Sequence, residues 1–587
     1  MRGGLRFSAK GRTGYWELSV LSLRNVKRHG GVVKVRKAKG LRYIKGMNKM
    51  TDIVGNETLR SLWETMADRC ANRDFMVFEN RVGSVFEYTY AQFDEDVNRI
   101  ANVFLSLDVQ KGDFVALHLH SSPEFLMCLF GLAKIGAVAV PVNEQYLADE
   151  TEYILDTAQV TCAVVEPLYL ETYQELVKRG RRFEKGILVA RAGQDSPVCD
   201  IEYPSMFCRS RQQPQKEQAF YDFWSMRCAE QPVLREKRPL NSSDPAQIIF
   251  TSGTTSRPKG VVVTHANMIF SGLYGDWEVS LRGSDRVLST MPACHSNFQL
   301  AALMPVVTAG ATIIIVEKFS ARRFWKQVRH YRATVIQLVA MMLRTVMLQE
   351  VDPEEKNHCV REALYFISVS DEEKEAFEER FNVKIMNTYG STESIGWVLT
   401  DPPVGKRMWP SVGRAGLSYE VRIADKNDNE LPHGETGEIQ VKGVRGRTLM
   451  LEYLNNPKAT EETFSADGWL KTCDQGYQDD NGWFYFVDRK SNMVKRAGEN
   501  ISTSEIEKIL EEHPLCAEAA VIGVEDPIRD MALKAFVLPV KGAKLTPEEV
   551  EEYCRKHMAS FKVPSFFEIV SEFPRTCSMK IEKKLLK

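Results

Sequence analysis

The sequence predicts an α/β fold: a large multi-layer N-terminal domain of mixed sheets and helices, followed by a small mobile α+β C-terminal domain. Three observations predict it. From about Asp52 to Asp488, β-branched runs alternate with helical patterns, as stacked sheets and helices require. After Arg489 the pattern changes to short helices between strands over about a hundred residues, an ordinary domain size. Hydrophobic residues are 44% and charged residues 26% of the 587, which supplies a large core and excludes collagen-like, low-complexity and wholly disordered chains.

Taken in chain order, residues 1–50 carry 14 Lys and Arg against Glu17 alone. This basic extension lacks the apolar stretch of a secretory signal and reads as disordered or as a start placed too far upstream, with Met47 or Met50 as the expected start; a transit peptide and, last, a nucleic-acid arm are the other readings. The expected domains are then 1–50, 51–488 and 489–587. Over the whole chain 77 bases face 78 acids, so neither nucleic acid nor a charged membrane surface is an expected partner. The longest apolar run, Phe125 to Val142, contains Lys134 and Pro141, so it reads as a buried helix ending near Gly136 and then a strand, with no stable membrane insertion.

Strands are expected at 138–142, 246–250, 261–264 and 311–316, with surface loop and connection over about 190–245. Helix starts are marked by Ser320 and by capping boxes at 502–505 and 546–549. In the C-terminal part, strands are expected at 519–524 and 535–540. The twelve cysteines form no CxxC pair, which argues against zinc and against a disulfide scaffold. A cytoplasmic location is expected.

The chemistry begins at Thr251-Ser-Gly-Thr-Thr-Ser-Arg-Pro-Lys-Gly260, between two expected strands. Five hydroxyls and the backbone near Gly253 and Gly260 can donate to phosphate oxygens, and Lys259 adds positive charge. A following strand and the absence of GxxxxGK[ST] separate it from a P-loop. Other segments recur in a fixed order: YGSTE at 389–393, GETGE at 434–438, DGWLKTCD at 467–474, VDRKSNMVKRAGENIS at 487–502 and PRTCSMK at 574–580. Alone, each has a blander reading, such as an N-cap threonine beside a solvated glutamate. Together they resemble the adenylate-forming superfamily of acyl-CoA synthetases, adenylation domains and luciferases, from about residue 55 to the end.

The resemblance implies ATP, Mg²⁺ and coenzyme A as cofactors, and a small-molecule carboxylate as substrate. It implies that Thr251, Ser252, Gly253, Thr254, Thr255 and Lys259 cradle phosphate. Tyr389 meets the nucleotide, Thr392 and Glu393 meet the α-phosphate, and Glu393 with Thr251 holds Mg²⁺. Asp474 and Arg489 take the ribose, and Lys580 bridges the carboxylate and α-phosphate, offsetting repulsion between two anions. His295 gates the acyl pocket, Gly498 and Glu499 line the thiol tunnel, and the hinge falls at Ser491. The run at 125–142 and the Met341–Met342 pair are expected in the core. This chain departs from the family at Cys473, Ala497 and Met579, each where glycine is usual, and at 366–369, where PheIleSerVal replaces the usual adenine segment.

The reaction implied is acid–thiol ligation through an acyl-adenylate. Within the family, the wording FTSGTTSRPKGVVVTH and FKVPSFFEI is most similar to ligases of small betaines: carnitine, crotonobetaine or γ-butyrobetaine. Trp277, Phe298 and Trp397 are then expected to offer aromatic faces to a trimethylammonium group. The alternatives are a short- or medium-chain fatty acyl-CoA ligase and a catalytically weakened nucleotide- or acyl-binding protein. The sequence leaves the oligomeric state open.

Overall fold

Parallel strands buried on both faces read as continuous apolar runs, and two such sheets organise the large domain. The computed structural model describes residues 52–190, 207–208, 218–251, 257–366, 369, 371–489, 493–496, 499–574, 581 and 583–587. Among these, the first sheet has nine strands in the order Arg414–Ala415, Gly396–Thr400, Ile385–Ser391, Glu362–Phe366, Val335–Val339, Arg286–Ser289, Thr312–Val316, Asp74–Glu79 and Val85–Thr89. Its six central strands are parallel and both edges antiparallel. The second has eight, from the hairpin Lys259–Thr264 and Pro245–Thr251 through Val138–Pro141, Phe114–His118, Cys162–Val165, Ile187–Val189 and Phe220–Asp222 to Phe207–Cys208.

The expected strands at 138–142, 246–250, 261–264 and 311–316 are all present. The segment read as loop over 190–245 is corrected in part. Phe207–Cys208 and Phe220–Asp222 extend the second sheet, and Phe223–Cys228 forms a helix capped by Asp222. Strands this short, set among polar residues, carry no alternation to read.

The apolar run folds as expected. Helix Pro123–Ile135 is buried along its whole length, starts at the Ser122 cap and ends at Gly136, whose φ of 79° is the left-handed C-cap that glycine adopts freely. Buried Lys134 is held by Asp94 Oδ1 at 2.5 Å and Asn98 Oδ1 at 2.6 Å. Desolvation lowers its pKa and Asp94 opposes that shift. Against this helix packs Trp63, stacked on Phe130 with ring centroids 4.4 Å apart. Met342 is core and Met341 packs against it. Ser320 does cap helix Ala321–His330, through its carbonyl, which accepts from Arg323 and Phe324 N–H, and not through its hydroxyl.

A third sheet, an antiparallel meander of Glu420–Ala424, Gly437–Lys442, Trp469–Gln478 and Phe484–Arg489, ends the large domain. The small C-terminal domain pairs Glu499–Ser502, Met493–Arg496, Asp530–Pro539 and Cys516–Asp526, with Phe566–Ile569 alongside. The Thr546–Glu549 capping box forms as expected. No helix among the described residues is long and apolar enough to cross a membrane.

Candidate active site

Strand ends and turns from all four sheets converge on one cavity of about 1020 Å³. Thr251, Lys259, His295, Tyr389, Thr392, Glu393, Asp474 and Glu499 all line it. Thr251 and Lys259 face each other across the hairpin, where their backbones pair. The strand Ile385–Ser391 delivers Tyr389, and the turn after it delivers Thr392 and Glu393. Gly390 is required there: a Cβ would lie 2.0 Å from the Gly396 carbonyl oxygen on the returning strand.

At one end of the cavity is an oxygen cluster. Thr251 Oγ1 donates to Glu393 Oε1 at 3.4 Å, and the Tyr453 hydroxyl donates to the same oxygen at 2.9 Å. Lys259 Nζ lies 4.8 Å from the centroid of the Tyr453 ring. Desolvation and then the Glu393 charge hold the Tyr453 hydroxyl well above its ordinary pKa, so it stays a donor. Thr392 Oγ1 is 2.9 Å from Ser296 Oγ. A carboxylate and a hydroxyl side by side are the hard oxygen donors that suit Mg²⁺ carried in on phosphates. Among the described residues no cluster of three or more His, Cys, Asp or Glu could hold a metal unaided.

A second station is built on the meander. The Tyr389 hydroxyl donates to Asp474 Oδ2 at 2.7 Å, and Asp474 pairs with Arg489 in the strand register. Beside it Cys473 has φ of 59°, and its N–H donates to Glu438 Oε1 at 3.0 Å. This is a left-handed backbone position that favours glycine, and the cysteine adopts it at a cost of about 1 kcal/mol.

The third station joins the domains. His295 caps a short helix, Ser296–Phe298, and its Nε2 is 2.8 Å from Glu499 Oε1. Burial lowers the His295 pKa, but the Glu499 charge and hydrogen bond, with Glu144, outweigh it, so the net shift is upward. Burial raises Glu499, yet His295 and then Lys562 and Asn143 bring it below the ordinary range. Nearby, Lys562 Nζ lies 2.6 Å from Glu150 and 2.9 Å from Glu505, and 4.7 Å from the centroid of the Tyr146 ring.

Of the three aromatic residues expected in the acyl pocket, Trp397 lines the cavity, with its ring 5.4 Å from that of Phe366. The other two are corrected. Trp277 is 41% exposed near the end of its helix, against Tyr274, and Phe298 is fully buried in the core; neither is among the lining residues. Ser252, Gly253, Thr254, Thr255, Ser491, Ala497, Gly498, Met579 and Lys580 lie outside the described residues, and of Arg489 only the backbone is described. Tyr453 and Lys562 line the cavity and were not read from the sequence; Phe366, expected only as the start of the replaced adenine segment, lines it too.

This fold, with carboxylate, hydroxyl and lysine of the large domain gathered on a cavity that the small domain also lines, is that of the adenylate-forming enzymes. The chain belongs to the AMP-binding enzyme family, matching it over residues 63–454 and matching the AMP-binding enzyme C-terminal domain over 505–580. It is 44% identical to the crotonobetaine/carnitine–CoA ligase of Citrobacter koseri over 536 residues, 91% of this chain and all of the relative. The enzyme of the same name from Proteus mirabilis is also 44% identical over 535 residues, again 91% of this chain and all of the relative. Among solved structures, the o-succinylbenzoate CoA synthetase of Bacillus subtilis superposes with a TM-score of 0.76 at 24% identity, covering 91% of this chain and 98% of that one. An amide bond synthetase from Marinactinospora thermotolerans gives 0.73 at 22%, covering 89% and 98%.

Proposed function

We propose that the chain is an ATP-dependent, AMP-forming acid–thiol ligase for small betaines: carnitine, crotonobetaine or γ-butyrobetaine. In the first half-reaction a carboxylate oxygen attacks the α-phosphorus of ATP, giving an acyl-adenylate and expelling pyrophosphate. In the second, the coenzyme A thiol attacks the acyl carbon, giving the thioester and AMP. Both share one site, with the small domain presenting different residues to each; by family resemblance the hinge falls at Ser491, just past the domain boundary at 488/489.

Each station has a role in this chemistry. Thr251 and Lys259 steady the phosphates, and Thr392 donates to the α-phosphate. Glu393, oriented by Tyr453, would hold Mg²⁺ with Thr251; the ion supplies charge neutralisation on the phosphates as pyrophosphate leaves. Asp474, positioned by Tyr389, accepts the two ribose hydroxyls, with Arg489 as a second contact. Lys580 offsets the repulsion between carboxylate and phosphate. The remaining cradle residues Ser252, Gly253, Thr254 and Thr255, with Gly498 at the thiol tunnel, complete the set by family resemblance. His295, held by Glu499, borders the route by which the thiol would reach the adenylate.

The observation that carries this reading is 44% identity across the full length of the betaine ligases, coupled with the gathering of eight expected site residues around one cavity. The test is a coenzyme A ligation assay in which carnitine, crotonobetaine, butyrate and octanoate compete. Preferred use of the betaines is expected. Preferred use of octanoate or butyrate overturns the betaine assignment, and absence of turnover with every acid overturns the ligase.

A further inference from the structure

Glu278, on the last turn of helix His265–Val279, is fully buried and forms no ion pair among the described residues. Neither carboxylate oxygen has a close, well-directed donor; the group that tempers its charge is Tyr274, one turn earlier. Desolvation pushes its pKa well above the ordinary carboxylate range, and Tyr274 only partly opposes this. A carboxylate buried in this way is expensive to ionise until a positive charge meets it.

Its position says where that charge would arrive. Helix His265–Val279 packs against strand Gly396–Thr400 and against the helical turn Gln299–Leu303. Both of those elements face the cavity, through Gly396 and Trp397 and through Leu300 and Ala301. Tyr419 and Tyr274 stand directly behind Gly396, since a Cβ built there would be 3.8 Å from the Tyr419 hydroxyl and 3.9 Å from the Tyr274 ring, and the Glu278 charge is felt at Tyr419. On the cavity side, the Phe366 and Trp397 rings meet at an interplanar angle of 44°, a corner that can offer two faces to one cation.

Resting on the betaine reading above, we propose that the far end of the acyl pocket is a quaternary-ammonium subsite, in which Phe366 and Trp397 face the cation and Glu278 supplies its counter-charge from the layer behind Gly396. A trimethylammonium group has no N–H to donate, so ring faces and an unpaired carboxylate are the groups able to distinguish it from a neutral group of the same shape. The subsite separates betaines from fatty acids of equal size, because an apolar pocket without the carboxylate would have to desolvate the cation uncompensated.

The test compares crotonobetaine with 5,5-dimethylhex-2-enoate, in which carbon replaces the nitrogen, on wild type, Glu278→Gln and Trp397→Leu. Glu278→Gln is expected to lower kcat/KM for crotonobetaine roughly tenfold or more, mainly through KM, while use of the neutral acid is unchanged or improved. Trp397→Leu is expected to shift the ratio in the same direction by severalfold. If Glu278→Gln does not fold, Glu278→Met replaces it with the same expectation. A wild-type preference for crotonobetaine that survives in the Glu278 variant, or an equal loss for both acids, overturns the subsite and leaves the betaine reading standing. Wild type that uses the neutral acid as well or better overturns the betaine reading itself.

Discussion

His295 on the large domain and Glu499 on the small one share a hydrogen bond of 2.8 Å in the wall of the cavity. Because each ring or carboxyl shifts the other toward its charged form, the contact is an ion pair with a defined pH window. The His295 contribution is fully present below an ordinary histidine pKa of about 6.5 and is lost as pH rises through its raised value. The Glu499 contribution is present above the ordinary glutamate pKa and is lost as pH falls through its lowered value.

Glu499→Gln should therefore slow thioester formation from pre-made adenylate by roughly ten- to a hundredfold, the loss of a charged hydrogen bond of about 1.5–3 kcal/mol. Adenylate formation should be little changed. The alkaline limb of the thiol step should also move to lower pH, since His295 loses the partner that raises it. Single-turnover kinetics of the two half-reactions from pH 6 to 9 measure this, and an equal loss in both halves refutes the role.

Lys562 should behave as an interdomain clamp. It is 1% exposed between Glu150 of the large domain and Glu505 of the small one. Glu150 Oε2 also accepts the Ala559 N–H at 3.0 Å. Lys562→Met strands two buried carboxylates and should cost about 3–5 kcal/mol of stability. Denaturant unfolding reads it directly; a loss under about 1 kcal/mol would show that the charges are reachable by water.

Tyr453→Phe removes one hydrogen bond from Glu393 and leaves the ring under Lys259. The expected effect is a loss of about 1–2 kcal/mol in adenylation, or roughly five- to thirtyfold, with a raised Mg²⁺ requirement. Pyrophosphate exchange at varied Mg²⁺ checks it, and an unchanged Mg²⁺ dependence counts against the orienting role.

Cys473→Gly should be neutral or stabilising by up to about 1 kcal/mol, because φ of 59° favours glycine. At an ordinary strand position the same change costs about 0.5–1 kcal/mol. Thermal unfolding distinguishes the two signs.

Much of the fold was legible because its signals are local. The apolar run ended at Gly136 as its composition required, and a hairpin stands where the hydroxyl-rich motif lies between two β-branched runs. That Thr392, Glu393 and Asp474 would meet at one cavity was legible for the same reason, each lying inside its own motif. Tyr453 was not, since it reaches Glu393 from 60 residues away and carries no motif of its own. The Lys562–Glu150 pair spans 412 residues and is set by how the two domains meet. Trp277 and Phe298 went wrong for a different reason. Helix His265–Val279 is buried nearly all round, so periodicity marks no face, and Trp277 falls on its narrow exposed strip. Phe298 points into the core from a segment whose neighbours Asn297 and Leu300 line the cavity.

The close approach at Gly390 bears on how this enzyme can be retargeted. Gly390 pairs with Trp397, and the turn joining their strands carries Thr392 and Glu393. On the function proposed above, the wall that selects the acid and the groups that handle phosphate are thus two sides of one tight hairpin. An insertion that enlarged the acyl pocket there would drag the phosphate-handling carboxylate with it. New specificity is best sought by exchanging side chains on a fixed backbone, at Phe366, Trp397 or Ala301, and libraries that vary loop length between 390 and 397 should yield mostly inactive proteins.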